Sequence, residues 1–159
     1  MADYTLEEKD SFTVLGFGTE LKSDYTDYIG ISKEKSDFWR SVKLDGRLDT
    51  LKTLATNDYI FAVNEAVNNK MMHYAGVMTE TSLPEASRVI QFPKGEYLVV
   101  NGEAKTADEL SNKLTGIAFG QVLPEAKNFA YVGGPNATVE MGQRNGLVFG
   151  EIWIPVVRK

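Results

Sequence analysis

The order of apolar and polar positions along the chain predicts alternating strands and helices. An apolar run broken by glycines, residues 12–18, predicts a first strand, and the polar, Tyr-rich residues 23–32 predict a loop after it. Phe38 and Val42 lie four residues apart, as on one face of a helix, which predicts a helix from about residue 33 to 44. The chain is therefore expected to open with a strand, a loop and an amphipathic helix.

Leucines then recur at intervals of three, at Leu48, Leu51 and Leu54, and predict a short second helix. Residues 59–63 and 71–78 are mainly apolar and are joined by a polar, Asn-rich stretch. Two such runs separated by turn-forming residues are typical of a β-hairpin. The first half is thus expected to run strand, helix, strand, strand.

The same order of elements begins again after Pro84. Residues 89–92 and 97–100 predict a bent or bulged strand pair, because a proline and a glycine separate them. Thr106 and Glu109 have the spacing of a capping box and predict the start of the clearest helix in the chain. Further strands are predicted at residues 129–132, 139–141 and 147–157, the last being the longest.

Two rounds of strand, helix, strand and strand predict an α+β fold with pseudo-repeats at about residues 1–82 and 83–159. Such a chain would form a mainly antiparallel sheet with its two main helices on one face. No Pro-, Gly- or Ser-rich linker divides the sequence, so one domain spanning residues 1–159 is expected.

Composition narrows the range of functions. Seventeen basic and 22 acidic residues give a net charge of −5, so the chain lacks the positive field that attracts nucleic acid. The absence of Cys excludes disulfides, a thiolate nucleophile and sulfur-ligated zinc. The N-terminus has no apolar run, and no stretch approaches the roughly 18 apolar residues of a membrane span. We expect a soluble, cytoplasmic protein without direct nucleic-acid or membrane binding.

Five short motifs occur in a fixed order along the chain: Phe38-Trp39, His73-Tyr74-Ala75-Gly76-Val77, Phe92-Pro93-Lys94-Gly95-Glu96-Tyr97, Val139-Glu140-Met141 and Phe149-Gly150-Glu151-Ile152-Trp153-Ile154-Pro155-Val156. In this order they resemble the GyrI-like family, also known as the effector-binding domain of bacterial multidrug-responsive transcription regulators. The resemblance implies two strand-helix-strand-strand units packed about a pseudo-twofold axis. It also implies an aromatic ligand groove between the units, for hydrophobic and often cationic ligands, with Glu151 as the matching central glutamate.

Two departures from the family pattern stand out. Regulators of this type carry a helix-turn-helix module, whereas this chain begins directly with the first strand, which implies a stand-alone binding module. Gly142 stands near the place where many relatives have an aromatic residue.

The last predicted strand has two unlike faces, because successive strand residues point to opposite sides of a sheet. Ile152 and Ile154 lie on an aliphatic face that is expected to meet the helices. Phe149, Glu151 and Trp153 share the other face. A carboxylate between rings suits an amphipathic cation, since each ring adds cation–π attraction of about 0.5–2 kcal/mol. The alternative is that Glu151 is an ordinary solvent-exposed strand residue.

Trp39 and Tyr74 are the best additional candidates for the pocket wall, because both fall inside the family-like motifs. The predicted ligand-binding residues are therefore Glu151, Trp39, Tyr74, Phe149 and Trp153. The ligand is expected to be a hydrophobic, cationic small molecule, with no catalytic residue, cofactor or metal. A homodimer through exposed edge strands is a further hypothesis.

Two other functions stay open. In a hydrolase of reactive electrophiles, the pocket glutamate would act as a general base on water. A gyrase-inhibitor-like interaction protein would instead use an exposed face. His73 is the single histidine, and neither a nucleophile-elbow sequence nor a metal-ligand motif accompanies it. A hydrogen-bonded strand histidine is favoured over haem ligation through this side chain.

Overall fold

The structure is a computed structural model that describes residues 3–24, 26–80 and 88–159. Nine strands lie in these residues: β1 (Thr5–Lys9), β2 (Phe12–Leu21), β3 (Ile60–Val67), β4 (Lys70–Met78), β5 (Arg88–Phe92), β6 (Gly95–Ala104), β7 (Phe129–Tyr131), β8 (Asn136–Arg144) and β9 (Leu147–Arg158). The helices are α1 (Tyr28–Leu44), α2 (Arg47–Leu54) and α3 (Ala107–Ile117), and α3 continues through a π-helical turn at Ala118–Val122 into a last turn at Leu123–Glu125. No helix in the described residues is long and apolar enough to cross a membrane.

The strands form one antiparallel sheet in the order β1-β6-β9-β8-β3-β4-β2-β5, and β7 pairs with the end of β9. The predicted α+β class with a mainly antiparallel sheet is confirmed. Because the two pseudo-repeats would meet near residue 82, their predicted boundary lies outside the described residues.

The sheet curls around an aromatic cluster. Phe12 on β2 and Trp153 on β9 lie four strand spacings apart, which is roughly 19 Å in a flat sheet. Their ring centroids are only 5.6 Å apart, and Phe12 also stacks on Phe92 of β5 at 4.6 Å. The curl therefore brings distant strands together and encloses one half of the core.

The helices cover the opposite face of the sheet. Leu110 and Leu114 of α3 pack with Ile152 and Ile154 of β9, so the aliphatic face of the last strand meets a helix as predicted. Phe38 and Val42 of α1 pack against Ala75 of β4, and α2 places Leu51 against Leu15 of β2, in the two smaller clusters on this face.

The predicted pairing of the two strands around residue 93 is wrong. β5 pairs with β2, whereas β6 pairs with β1 and β9. Pro93 and Lys94 connect β5, at one end of the sheet, to β6, the second strand from the other end, which the curl brings close. The Tyr97 hydroxyl donates to the Pro93 carbonyl at 2.6 Å and ties this crossing in place.

Helix α1 begins earlier than its apolar spacing predicts. The Asp27 side chain accepts a hydrogen bond from the Gly30 amide at 3.0 Å and caps the helix, so Tyr28 is already helical. Of the predicted loop 23–32, only the first residues are non-helical, and residue 25 lies outside the described part of the chain. The acid-rich strand β1 is not apparent from the sequence pattern, because it is an edge strand with a polar surface.

Candidate functional site

A groove lies between α1, the first half of α3 and the helix-covered side of β3, β4 and β8. It encloses about 570 Å³ of empty space, including space open to solvent. Its lining includes Lys35, Ser36 and Trp39 from α1, and His73, Thr138 and Glu140 from the sheet.

Helix α1 turns one stripe of side chains toward the groove. Ser32, Lys35, Ser36, Trp39 and Lys43 recur at spacings of three and four residues, and all of them line the groove. Residues with this spacing lie on one helix face. The neighbouring stripe, which holds Phe38 and Val42, packs on the sheet and fixes the rotation of the helix.

Hydrogen bonds connect the two helices across the groove. Ser36 Oγ donates to Asp108 Oδ2 at 2.8 Å, and Ser32 Oγ donates to Asn112 Oδ1 at 3.3 Å. The start of α3 is itself fixed because Thr106 Oγ1 accepts from the amide of Glu109 at 3.1 Å, so the predicted capping box forms its first contact.

The Trp39 ring is held by a buried polar network. Trp39 Nε1 donates to His73 Nε2 at 2.9 Å, and His73 Nδ1 lies 2.8 Å from Asn64 Oδ1. Since an indole N–H can only donate, Nε2 accepts and the ring proton must sit on Nδ1, which donates to Asn64. Asn64 Nδ2 donates to Asn136 Oδ1 at 3.3 Å, and Asn136 Nδ2 donates to the Tyr131 hydroxyl at 3.2 Å.

His73 is therefore a neutral imidazole. It is 1% exposed, and burial together with the positive charge of Lys35 holds its pKa well below the ordinary value of 6.5. Both ring nitrogens are occupied by protein partners, as favoured for a strand histidine, and haem ligation would require breaking the bond to Trp39. The tautomer of His73 thus determines how the aromatic wall of the groove is oriented.

The groove contains charges of both signs. Lys35 is partly buried, and burial lowers its pKa, whereas Lys43 is exposed and lies 6.0 Å from the Trp39 ring centroid. The acidic side chains are Asp108, which is exposed, and Glu140, which is half-buried. Among the described residues, no three metal-ligating side chains lie together.

Neither Glu140 nor Lys35 is singled out as a site residue by the sequence. Glu140 faces the groove because its strand neighbours Val139 and Met141 point into the aromatic cluster on the other side. Strand alternation therefore predicts that Glu140 faces the groove, provided that the side of β8 covered by the helices is known. Lys35 carries no such signal, since a lysine on a helix is ordinarily solvated.

The five predicted site residues are not brought together. Trp39 lines the groove, but Tyr74 and Trp153, which are 2% and 6% exposed, lie in the aromatic cluster on the opposite face of the sheet. Phe149 and Glu151 line a separate shallow depression with Met141 and Arg144. The physical reason is the strand alternation itself: the groove lies beneath the helices, and the rings of β9 point away from them.

Glu151 already has a protein partner. Trp153 Nε1 donates to Glu151 Oε1 at 2.8 Å, and Lys9 Nζ lies 4.0 Å from the centroid of the Trp153 ring. The carboxylate is half-buried rather than fully solvated. Its role as the central glutamate of a ligand site stays a prediction.

Gly142 lies at a β-bulge, where the register between β8 and β9 shifts between Glu140 and Gly142. A Cβ atom at Gly142 would lie 3.2 Å from the Phe149 ring. The Phe149 side chain thus occupies the space beside this position, and a larger residue at 142 would have to displace it.

The fold matches solved structures along nearly the whole chain. SAV2435, in a structure bound to tetraphenylphosphonium, superposes with a TM-score of 0.79 at 17% identity, covering 98% of this chain and 94% of that one. An integron cassette protein from the mobile metagenome of Vibrio cholerae has a TM-score of 0.65 at 12% identity, covering 97% and 95%. The C-terminal domain of EcmrR has a TM-score of 0.58 at 12% identity, covering 99% and 98%.

These similarities show a shared fold. The fold and a family model that matches residues 5–156 place the chain in the class of effector-binding proteins, whose general function is to bind small molecules. The chain belongs to the family described as integron-associated effector binding protein, Cass2. The resemblance to GyrI-like effector-binding domains is thereby confirmed, while no curated protein matches the sequence.

Proposed function

We propose that this protein reversibly binds hydrophobic small molecules that carry a positive charge, and that they bind in the groove between α1 and α3. The observation that carries the proposal is the pairing of an oriented aromatic wall, Trp39, with a half-buried carboxylate, Glu140, in one groove. The binding of tetraphenylphosphonium by SAV2435, a protein of the same fold, supports this ligand class.

Glu140 is the groove's available counter-ion. It makes no hydrogen bond or ion pair with any residue that the structure describes, whereas the Asp108 carboxylate accepts a hydrogen bond from Ser36. A carboxylate removed from water is costly unless it is paired. A ligand cation stacked on Trp39 would satisfy Glu140 and gain cation–π attraction from the indole ring.

Glu151 is the competing candidate from the sequence. Its bond to the Trp153 indole and its position on the opposite face make it the weaker choice in this structure. The single-domain organisation, the cytoplasmic location and the homodimer also stay predictions.

The test compares two ligands of matched shape, methyltriphenylphosphonium and neutral triphenylphosphine oxide, by isothermal calorimetry. The Glu140→Gln variant should bind the phosphonium at least about tenfold more weakly and bind the phosphine oxide almost normally, because only a charge-assisted contact is lost. Glu151→Gln is the matched control and should bind both ligands like the wild type.

The reverse pattern, with the loss in Glu151→Gln, would move the site to the opposite face of the sheet. If the wild type bound neither ligand, the proposed function itself would be wrong.

A further inference from the structure

Lys35 is the feature of the groove that binding of a simple cation does not explain. It lies one turn before Trp39 on the same stripe of α1 and lines the groove. Its side chain is partly buried, and it forms no hydrogen bond or ion pair with the described residues. A positive charge is therefore present where a purely cationic ligand would be repelled.

None of the described groups around Lys35 forms an ion pair or hydrogen bond with its ammonium group. His73 is near enough for the lysine charge to lower its pKa, but Nε2 of His73 already accepts from Trp39, and Nδ1 carries the proton. The groove carboxylates of Asp108 and Glu140 lie beyond 4 Å from its amine, since neither forms an ion pair with it.

An unpaired ammonium in such a place costs free energy, because burial removes hydration that nothing replaces. Burial lowers the pKa of Lys35 for the same reason, because the charged form is the one that loses hydration. Lys43, the other lysine of the groove, is exposed and retains its hydration. Lys35 is thus the cation that would gain most from an anionic partner.

We propose that the natural ligand is amphoteric: an aromatic compound that bears an anionic group, such as a carboxylate, paired with Lys35, and a cationic group paired with Glu140. The inference rests on the proposed function and names the ligand class for the same groove. Lys35 lies on the helix wall and Glu140 on the sheet floor, so the two charges of the ligand would be held on different walls with the aromatic body against Trp39.

The test uses carboxypropyl-triphenylphosphonium and its methyl ester, which share one cation and differ in the anionic group. The wild type should bind the free acid about tenfold or more tightly than the ester, as one charge-assisted contact allows. Lys35→Met should bind the two compounds equally, and Lys35→Arg, which retains the charge, should keep a preference for the acid. Lys33→Met, at an exposed position of α1 outside the groove lining, is the matched control and should retain the full preference.

The outcomes separate the two proposals. Equal affinity of the wild type for acid and ester, with both binding, would overturn the role of Lys35 and leave the proposed function intact. A preference that persists in Lys35→Met would place the carboxylate elsewhere and would also overturn it. Failure of the wild type to bind either compound, or methyltriphenylphosphonium, would overturn the proposed function and this inference with it.

Discussion

The indole N–H of Trp39 donates to Nε2 of His73 at 2.9 Å, across the interface between α1 and the sheet. An imidazole that accepted a proton on Nε2 would lose this bond and would place two N–H groups against each other. The position of the aromatic ring that lines the groove therefore depends on a histidine that stays neutral.

Acid should destabilise the fold through His73. Its folded-state pKa is lowered by burial and by Lys35, so below pH 6.5 the unfolded chain takes up a proton that the folded chain does not. Stability that is present above pH 6.5 is then lost as pH falls, by up to about 1.4 kcal/mol per pH unit. Urea unfolding of the wild type and His73→Gln from pH 7.5 down to pH 5 measures the difference.

Gln is a useful control because its side-chain oxygen can accept from Trp39 but does not titrate in this range. Parallel pH profiles for the two proteins would contradict the assignment of a neutral, buried His73.

Removal of the Lys35 ammonium should stabilise the ligand-free protein. We expect Lys35→Met to raise the free energy of unfolding by about 1 kcal/mol, because the butyl stem is replaced by an apolar chain and the unpaired charge is removed. Burial lowers the pKa of Lys35, so the folded chain loses this proton at a lower pH than the unfolded chain does. The wild type should therefore gain stability as pH rises toward 10.5, the ordinary value for lysine.

Lys43→Met provides the comparison at an exposed position of the same helix and should change stability by less than about 0.5 kcal/mol. A loss of stability in Lys35→Met, measured by urea unfolding, would mean that the ammonium has a stabilising partner in solution.

The two tryptophans should have opposite roles. Trp153→Ala should cost about 3–5 kcal/mol of stability, because this ring is 6% exposed and packs against Phe12 and Phe61. Trp39→Phe should cost less stability but should weaken methyltriphenylphosphonium binding severalfold, since the ring loses its tether to His73.

Calorimetric titration and denaturant unfolding of both variants give the comparison. A binding defect confined to Trp153→Ala, with Trp39→Phe unaffected, would favour a site on the other face of the sheet.

Bound ligands should be released chemically unchanged. No groove serine is hydrogen-bonded to the histidine: Ser36 donates to Asp108, Ser111 donates to Thr138, and the two nitrogens of His73 are engaged by Trp39 and Asn64. The groove serines therefore do not form a Ser–His pair. Mass spectrometry after prolonged incubation with an electrophilic aromatic compound tests this, and a hydrated product formed by the wild type but not by Glu140→Gln would favour the hydrolase alternative.

The faces of the last strand could be predicted because side-chain alternation is a local property. Ile152 and Ile154 meet α3, and Trp153 points away from it, as the pattern of residues 147–157 predicts. The pairing of β5 and β6 could not be predicted in the same way. It depends on the curl of the whole sheet, which places β5 against β2 instead.

The proposed binding groove could be predicted from the sequence less well than the fold. The groove combines a helix stripe at residues 32–43 with a strand residue, Glu140, about a hundred positions further on, and no local pattern connects them. The family resemblance predicts Trp39 and Glu151 as site residues, and the structure places Trp39 in the groove and Glu151 in a separate depression. The register between Ile60 and Glu140 on neighbouring strands is what brings Glu140 into the groove.

The two hydrogen bonds between α1 and α3 affect how a ligand would enter the groove. Ser36–Asp108 and Ser32–Asn112 are contacts between exposed side chains that are 72 and 80 residues apart in sequence. Each contributes a net of about 0.5–1.5 kcal/mol, so separating the two helices at this point costs on the order of 1–3 kcal/mol. Little free energy therefore opposes separation of the two helices at this point, and Ser36→Ala should raise the association rate constant of methyltriphenylphosphonium.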